Sequence, residues 1–266
     1  MSKFAATVII PTFNHGETLH WALKSALAQT VREIQVIVVG DGAGDGPRAI
    51  IDGLSDERIH YVSFPKGERH GEAWRHEVIC RGTAPLICYL SDDDLWFDDH
   101  IAQMLATVGP EGYFAHTMAA IIPHPGGQLP EPLVCDLTRA AHRRVILEVQ
   151  NLIPLSTAGH GIDIYLRSGG WKPAPLSEFS DLHMWRRIIR AELKRVGDRK
   201  PAGLRSLLIP TTLHFPSPTR NSLTIQKRCA ELEVWFDKLS TQRFPERIRC
   251  DVLEKVAKDY ARTLYR

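Results

Sequence analysis

Hydrophobic and polar positions along the first hundred residues follow two different periods. Near-continuous apolar runs rich in β-branched residues are typical of strands that are covered on both faces. Such runs predict strands at Ala6–Ile10, Ile34–Gly40, Arg58–Phe64 and Pro85–Leu90. Between them, apolar residues recur at helical spacing in TLHWALKSALA (18–28) and GEAWRHEVICRG (71–82). Because strands and helices alternate, we expect an α/β fold with a Rossmann-like, mostly parallel sheet flanked by helices.

The boundary between the first strand and the first helix carries two local signals. Pro11 is expected to end the strand, because proline cannot donate to a sheet ladder. Asn14 and Glu17 have the spacing of a capping box at the start of the helix.

The pattern is less regular after the fourth strand. An apolar run predicts a further strand at Tyr113–Ile122, which leads into a segment rich in proline and glycine. Helical spacing predicts four more helices, at Ala141–Asn151, Asp181–Leu193, Ser222–Leu239 and Pro245–Leu264.

Composition excludes several classes of protein. The 266 residues are 44% hydrophobic and 24% charged, which is ordinary for a globular protein, and a net charge of +2 gives no argument for nucleic acid as a partner. The five cysteines form no C-x-x-C pair, so we expect reduced thiols in a cytoplasmic protein. The N-terminal apolar run is too short for a signal peptide, and no run approaches the roughly 20 residues that span a bilayer.

Three polar segments follow the predicted strands at 12–14, 40–45 and 91–94. Ligands of such sheets bind beyond the carboxyl ends of the strands, so these segments predict one shared site. The last segment contains three consecutive aspartates, Asp92 to Asp94, whose carboxylates suit a hard divalent cation. The alternative is a solvated acidic turn before a helix.

Four motifs, taken in order, resemble the family-2 glycosyltransferases of the GT-A fold. They are VIIPTFNHGETLHWALKSALAQT, IQVIVVGDGAGDG, HGEAWRHEVICRGTAPLICYLSDDDLWFDDHI with its DxD-type loop, and GGWKPAPLSEFSDLHMWRRI. The resemblance covers residues 5–105 closely and 155–195 more loosely. The chain departs from the family pattern at Gly40, Ala43, Trp74, His76 and Ser180.

The resemblance implies a metal-dependent, inverting transferase that uses a UDP-linked sugar, with an expected role in the synthesis of cell-surface polysaccharide or glycan. It implies nucleotide-sugar-binding roles for Pro11, Thr12, Asn14, Asp41, Arg75, Asp92 and Asp93. Within that set, Asp41 would accept a hydrogen bond from the base, and Asp92 would touch the ribose or the donor sugar. Mn²⁺ or Mg²⁺ would be bound by Asp93, by Asp94 directly or through water, and by His214.

The same resemblance makes Asp181 the general base that takes the proton of the acceptor hydroxyl. Two alternatives stay open. Asp181 could serve only to cap the helix that follows it, and Glu178 could be the base instead. For His214 and for the basic residues near Arg75, ordinary surface roles also stay open.

The resemblance divides the chain into a nucleotide-sugar-binding half (1–105), an acceptor-binding half (106–220) and a C-terminal helical extension (221–266). The expected partners are a nucleotide-sugar donor and a glycan or lipid-linked acceptor. The C-terminal helix would pack on the domain, join a homo-oligomer, or contact the inner face of the membrane as a peripheral anchor. Two rival functions remain: a non-catalytic GT-A-like sugar-nucleotide-binding protein, which the Ser180 departure suggests, and a sugar nucleotidyltransferase, for which PTFNHGETL lacks the Gly-rich basic loop.

Overall fold

The computed structural model describes residues 3–82, 84–127, 130–197, 199–241 and 243–264, with side chains as far as residue 258. The strands are β1 Ala6–Thr12, β2 Ile34–Asp41, β3 Ile59–Phe64, β4 Leu86–Tyr89, β5 Leu95–Trp96, β6 Phe114–Ile121, β7 Glu131–Leu133, β8 Ala158–His160 and β9 Leu204–His214. The helices are α1 Thr18–Leu27, α2 Gly46–Leu54, α3 Glu72–Cys80, α4 His100–Val108, α5 Ala140–Glu148, α6 Ile162–Arg167, α7 Ser180–Val196, α8 Ser217–Arg220, α9 Ile225–Leu239 and α10 Phe244–Leu264.

One sheet holds all of these strands, in the order β3-β2-β1-β4-β8-β6-β9-β5, with β7 paired to β6. The first four strands are parallel, with β1 between β2 and β4. Strand β8 runs antiparallel to β4 and β6, and β6 is parallel to β9. The predicted α/β sheet flanked by helices is confirmed, and the sheet continues into a mixed second half.

Strand β1 shows why its sequence is an unbroken apolar run. Successive side chains of a strand point to opposite faces of the sheet. Val8 and Ile10 pack in one core with Leu19 and Leu23 of α1. Ile9 points the other way, into the core that contains Trp185 of α7. Because both faces are covered, every position needs an apolar side chain.

Two sequence predictions at the start of the chain are wrong. Strand β1 continues through Pro11, which pairs in register with Val39, and ends at Thr12. Helix α1 begins at Thr18 with Glu17 as its N-cap and no side-chain cap bond, so Asn14 and Glu17 do not form a capping box. The helix begins about one turn later than the capping box requires.

The C-terminal helices cover the far end of the sheet. Helix α9 packs on α1, with the ring centroids of Trp21 and Phe236 5.6 Å apart. Ile248 and Val252 of α10 are buried in a third core, together with Leu213 of β9. Part of the apolar face of α10 is therefore covered by the protein itself, and membrane contact through this helix stays a prediction. Among the described residues, no helix is both long and apolar enough to cross a bilayer.

Candidate functional site

A cavity of about 450 Å³ lies at the carboxyl ends of β1, β2 and β4. Its lining contains Pro11, Thr12, Phe13, Asn14, His15, Asp41, Lys66, Arg69, His70, Arg75, Ser91 and Asp92. Six residues that the sequence assigned to the donor site are in this lining: Pro11, Thr12, Asn14, Asp41, Arg75 and Asp92. The predicted convergence of polar strand ends is therefore present, and the role of each residue stays a prediction.

Asp41 is held at the cavity wall by two donors from the loop after β3. Its Oδ1 accepts from the backbone N–H of Gly67 at 2.5 Å, and its Oδ2 accepts from Lys66 Nζ at 2.7 Å. Gly71, at the start of α3, has a φ of 72°, and a Cβ there would lie 2.8 Å from the Cβ of Asp41. Only glycine allows α3 to begin this close to the carboxylate.

Each of the three consecutive aspartates has its own set of donors. Asp92 Oδ2 accepts from Thr12 Oγ1 at 2.6 Å, and its Oδ1 lies 2.6 Å from His15 Nδ1. The hydrogen bond with Asp92 raises the pKa of His15, although burial opposes it, so the imidazole donates to the carboxylate. This pair joins the loop after β1 to the loop after β4.

Asp93 lies next to the cavity lining, with its Oδ2 3.9 Å from His15 Nδ1, and is paired with a residue of the C-terminal extension. Its Oδ1 accepts from Ser91 Oγ at 2.7 Å, and its Oδ2 accepts from Arg228 Nη2 at 2.6 Å. Both partners of this ion pair are buried, at 4% exposure for Asp93 and 8% for Arg228. Helix α9 therefore places a fixed positive charge against the carboxylate that the sequence assigned to the metal.

Asp94 forms hydrogen bonds that connect the end of β9 to the loop that contains the three aspartates, 92–94. Its oxygens both lie 3.0 Å from His214 Nδ1, and they also accept from the backbone N–H of Phe215 at 2.9 Å and from Ser156 Oγ at 2.5 Å. Burial disfavours charge on both members of the Asp94–His214 pair. Their mutual attraction and hydrogen bonds outweigh it, lowering the pKa of Asp94 and raising that of His214.

A divalent cation fits one group of side chains at the cavity. Within the described part of the chain, His15, Asp92 and Asp93 each offer a ligand atom, and these atoms lie within 4.8 Å of one another. Carboxylate oxygens with one imidazole suit Mn²⁺. Asp94 and His214 are hydrogen-bonded to each other in this structure. Their roles as metal ligands stay predictions.

Arg228 and a divalent cation would compete for the carboxylate of Asp93. We therefore expect Arg228→Met to raise the affinity for Mn²⁺ alone by about tenfold, because a nearby positive charge is removed. Electron paramagnetic resonance of free Mn²⁺ measures this in the absence of nucleotide. Arg247→Met, at an exposed position of α10, is the matched control and should leave Mn²⁺ binding unchanged. Equal affinity in the Arg228 variant and the wild type would show that the guanidinium does not oppose the metal.

Asp181 lies in the first turn of α7 and is partly buried. Its Oδ1 accepts from the N–H of Leu182 at 2.8 Å, and its Oδ2 accepts from Asn151 Nδ2 at 2.7 Å. Burial raises its pKa, against these hydrogen bonds and the charges of His214 and Arg75. A carboxylate with a raised pKa is a stronger base than a solvated aspartate. Its catalytic role stays a prediction.

Glu178 is in a different environment. Its Oε2 lies 2.6 Å from His183 Nδ1, and its Oε1 accepts from Arg186 Nη1. Although burial acts to raise it, the pKa of Glu178 is lowered by these partners. Paired in this way, Glu178 is a poor proton acceptor.

Arg75 connects the cavity to the start of α7. Its guanidinium is 3% exposed, donates from Nη2 to Ser180 Oγ at 2.7 Å, and stacks on Trp171 with its central carbon 4.2 Å from the ring centroid. Asp181 follows Ser180 directly, so the candidate base lies beside the arginine.

Sequence reasoning missed four residues that hold this site together: His15, Lys66, Ser156 and Arg228. His15 had a signal, since it follows Asn14 within the first polar segment. Arg228 had none, because it lies 135 residues after its partner on a helix whose pattern indicated only packing. Lys66 lies in the loop after β3 and Ser156 in a short 3-10 helix, Leu155–Thr157, and the conformation of both segments depends on the folded chain.

Comparison with known proteins gives consistent results. The sequence profile described as "Glycosyl transferase family 2" matches residues 7–128. A Campylobacter jejuni protein named GalNAc(5)-diNAcBac-PP-undecaprenol beta-1,3-glucosyltransferase is 25% identical over 125 residues, which are 46% of this chain and 40% of that one. The Escherichia coli UDP-Glc:alpha-D-GlcNAc-diphosphoundecaprenol beta-1,3-glucosyltransferase WfaP is 26% identical over 110 residues, 41% of this chain and 43% of its own. The matched part thus spans less than half of these relatives.

The fold has counterparts among solved structures. Residues 1–349 of S. aureus TarS, in complex with UDP-GlcNAc, align with a TM-score of 0.61 over 94% of this chain and 72% of that chain. The sequence identity is 14%, so this likeness shows the fold. The fold is therefore that of the GT-A glycosyltransferases, and residues 7–128 of the chain match glycosyl transferase family 2.

Proposed function

We propose that this chain transfers a sugar from a UDP-linked donor to an acceptor hydroxyl, with inversion at the anomeric carbon. The observation that carries the proposal is the cavity at three strand ends, with Asp181 beside it through the contact of Arg75 with Ser180. The names of the family-2 relatives, which are glucosyltransferases, support the same reaction class.

In the proposed reaction, Asp181 accepts the proton of the acceptor hydroxyl as that oxygen forms a bond to the anomeric carbon. The bond from that carbon to the diphosphate breaks on the opposite face, and the nucleoside diphosphate leaves with the electron pair. The raised pKa of Asp181 supports its role, because burial makes the carboxylate a better proton acceptor. The hydrogen bond from Asn151 fixes its orientation.

We assign the nucleotide end of the donor to the side of the cavity formed by the loops after β1, β2 and β4. Asp41 would accept a hydrogen bond from the base, and Asp92 would contact the ribose or the sugar while Thr12 and His15 fix its orientation. A divalent cation held by His15, Asp92 and Asp93 would neutralise charge on the leaving diphosphate.

The acceptor is proposed to be a glycan or a lipid-linked sugar in the synthesis of cell-surface polysaccharide. The printed names of two relatives specify diphosphoundecaprenol-linked acceptors, which supports a lipid-linked class here. A cytoplasmic location, peripheral to the membrane, follows from that acceptor class and belongs to the proposal.

Calorimetric titration of UDP and GDP, first with Mn²⁺ and then with a chelator, tests the proposal. We expect UDP to bind more tightly than GDP, because the resemblance assigns uracil as the base that donates to Asp41, which is held in place by Lys66 and Gly67. We expect the chelator to weaken UDP binding, because the diphosphate would then face the carboxylates of Asp92 and Asp93 without the two positive charges of the metal ion. Equal affinity for both nucleotides would contradict the assignment of Asp41. An affinity for UDP that the chelator does not change would contradict the metal site.

A further inference from the structure

We infer that the donor sugar carries a carboxylate, and that Arg75 is the residue that selects it. The donor class is then a nucleotide uronate, such as UDP-glucuronate, rather than a neutral hexose. This inference rests on the proposed function, and it adds the chemical class of the sugar.

Arg75 is a buried cation that lacks an anionic partner. It is 3% exposed and lines the cavity, yet no carboxylate of the described residues comes within 4.0 Å of its guanidinium nitrogens. Its Nη2 donates to the neutral hydroxyl of Ser180, and its buried Nε has no hydrogen-bond partner. Buried arginines are normally paired, because an isolated charge is costly to remove from water.

The nearest acidic residue on the same helix does not neutralise Arg75 by direct contact. Glu72 lies one turn earlier in α3 and is 1% exposed. Its Oε2 accepts from the backbone N–H of His70 at 2.9 Å, and its Oε1 has no partner. Glu72 is also outside the cavity lining, whereas Arg75 is part of it, so the unused donor capacity of Arg75 is what a ligand in the cavity can meet.

The position of Arg75 favours the sugar over the diphosphate as the source of the anion. Its guanidinium is fixed beside Asp181, through the contact with Ser180, and is stacked on Trp171. The sugar's reacting carbon must lie near the base, so groups that contact Arg75 belong to the sugar end of the donor. The diphosphate is assigned to the loop of Asp92 and Asp93, where the candidate cation group lies.

The physical basis of the selection is a charge-assisted pair with a buried guanidinium. A planar guanidinium held by stacking presents fixed N–H donors, and it forms bidentate hydrogen bonds with a carboxylate. A neutral hydroxymethyl group at the same position would offer the guanidinium no charged acceptor. The site should therefore discriminate between two donors that differ only at this group.

Calorimetry with UDP, UDP-glucose and UDP-glucuronate, all in the presence of Mn²⁺, tests the inference. In the wild type we expect UDP-glucuronate to bind roughly tenfold or more tightly than UDP-glucose. Arg75→Gln should bring this ratio close to one while the affinity for UDP itself is kept. Arg69→Gln removes an equal charge from the same cavity and should keep the ratio of the wild type.

A second variant keeps the inference falsifiable if Arg75→Gln does not fold. Ser180→Glu would supply Arg75 with an internal carboxylate, so the preference for UDP-glucuronate should disappear although Arg75 is present. Two outcomes overturn the inference: binding of UDP-glucose as tight as that of UDP-glucuronate, or an Arg75→Gln variant that weakens UDP and both UDP-sugars alike. The second outcome would assign Arg75 to the diphosphate. Failure of UDP to bind the wild type would instead refute the proposed function.

Discussion

Replacing Asp181 by asparagine is expected to lower the rate of sugar transfer by about 10²–10⁴-fold, the usual effect of losing a positioned general base. The side-chain oxygen of asparagine can still accept from the N–H of Leu182, so the first turn of α7 should persist. Donor binding should also be kept, because the donor's assigned contacts come from the loops after β1, β2 and β4. Turnover, UDP affinity and melting temperature, measured on the same preparation, separate these effects.

Asp181→Ala is the companion variant. If Asp181 only stabilises the start of α7, alanine should cost about 1 kcal/mol of stability and asparagine should transfer sugar nearly as fast as the wild type. That result would remove Asp181 from the reaction. If Asp181 is the base, turnover should fall as the pH drops through its raised pKa, because the protonated carboxyl cannot accept a proton. The acid limb of the turnover profile should then lie above the ordinary aspartate pKa of about 3.9 and disappear in the asparagine variant.

The parallel half of the sheet could be predicted from the sequence because its signal is local. Strands β1 and β2 are apolar at nearly every position, and helix α1 shows the matching helical period. Strands β5, β7 and β8 have two or three residues each, too few to show any period. Strand β9 is long, but buried and exposed positions do not alternate regularly along its first six residues. Pro210 follows them, at the point where the register of β9 against β6 shifts.

The candidate site also has a part that could be predicted from the sequence and a part that could not. Thr12, Asp41 and Asp92 could be placed together because each follows a parallel strand, and the ends of such strands meet at one edge. The resemblance placed His214 at this site as a metal ligand, but its pairing with Asp94 was not predicted. Arg228, the partner of Asp93, could not be found, because it comes from the second half of the chain, 135 residues away. Burying three adjacent carboxylates required cations whose positions depend on how α9 and β9 pack.

Two buried histidines should make this protein sensitive to mild acid. His116 is 1% exposed and His160 is fully buried, and burial lowers the pKa of each to about 4. His116 Nδ1 donates to the carbonyl of Thr117, and its Nε2 accepts from Ser206 Oγ at 2.8 Å. His160 Nδ1 donates to the carbonyl of Gly161. Both rings are therefore held in the neutral form.

The contacts of His160 Nε2 explain why this nitrogen does not take up a proton. Its Nε2 accepts from the hydroxyl of Tyr89 at 2.7 Å, while the oxygen of that hydroxyl accepts from Trp171 Nε1 at 3.0 Å. A proton on Nε2 would face the Tyr89 O–H and would have to reverse this chain of donors in the core. Protonation therefore requires the packing around Tyr89 to open.

The direction of the pH effect follows from the two pKa values of each histidine. In the unfolded chain a histidine binds a proton near pH 6.5, whereas in the folded protein it does so only near pH 4. Below pH 6.5 the unfolded state therefore holds more protons, so the free energy of unfolding falls as the pH falls. The loss is complete below about pH 4 and amounts to roughly 3 kcal/mol for each histidine.

Urea unfolding at pH 7.5 and pH 5.0 measures this dependence. We expect His116→Gln and His160→Gln each to reduce the difference in unfolding free energy between the two pH values by about 2 kcal/mol, because a glutamine takes up no proton. Either variant will also lose some stability at pH 7.5 through altered packing, so the difference between the two pH values, and not the stability itself, is the informative quantity. His124→Gln, at an exposed position, should keep the full difference of the wild type. An unchanged difference in both buried variants would mean that these histidines already carry protons in the folded protein. The acid sensitivity would then have to come from other groups, such as the buried His100, whose pKa burial lowers to about 3.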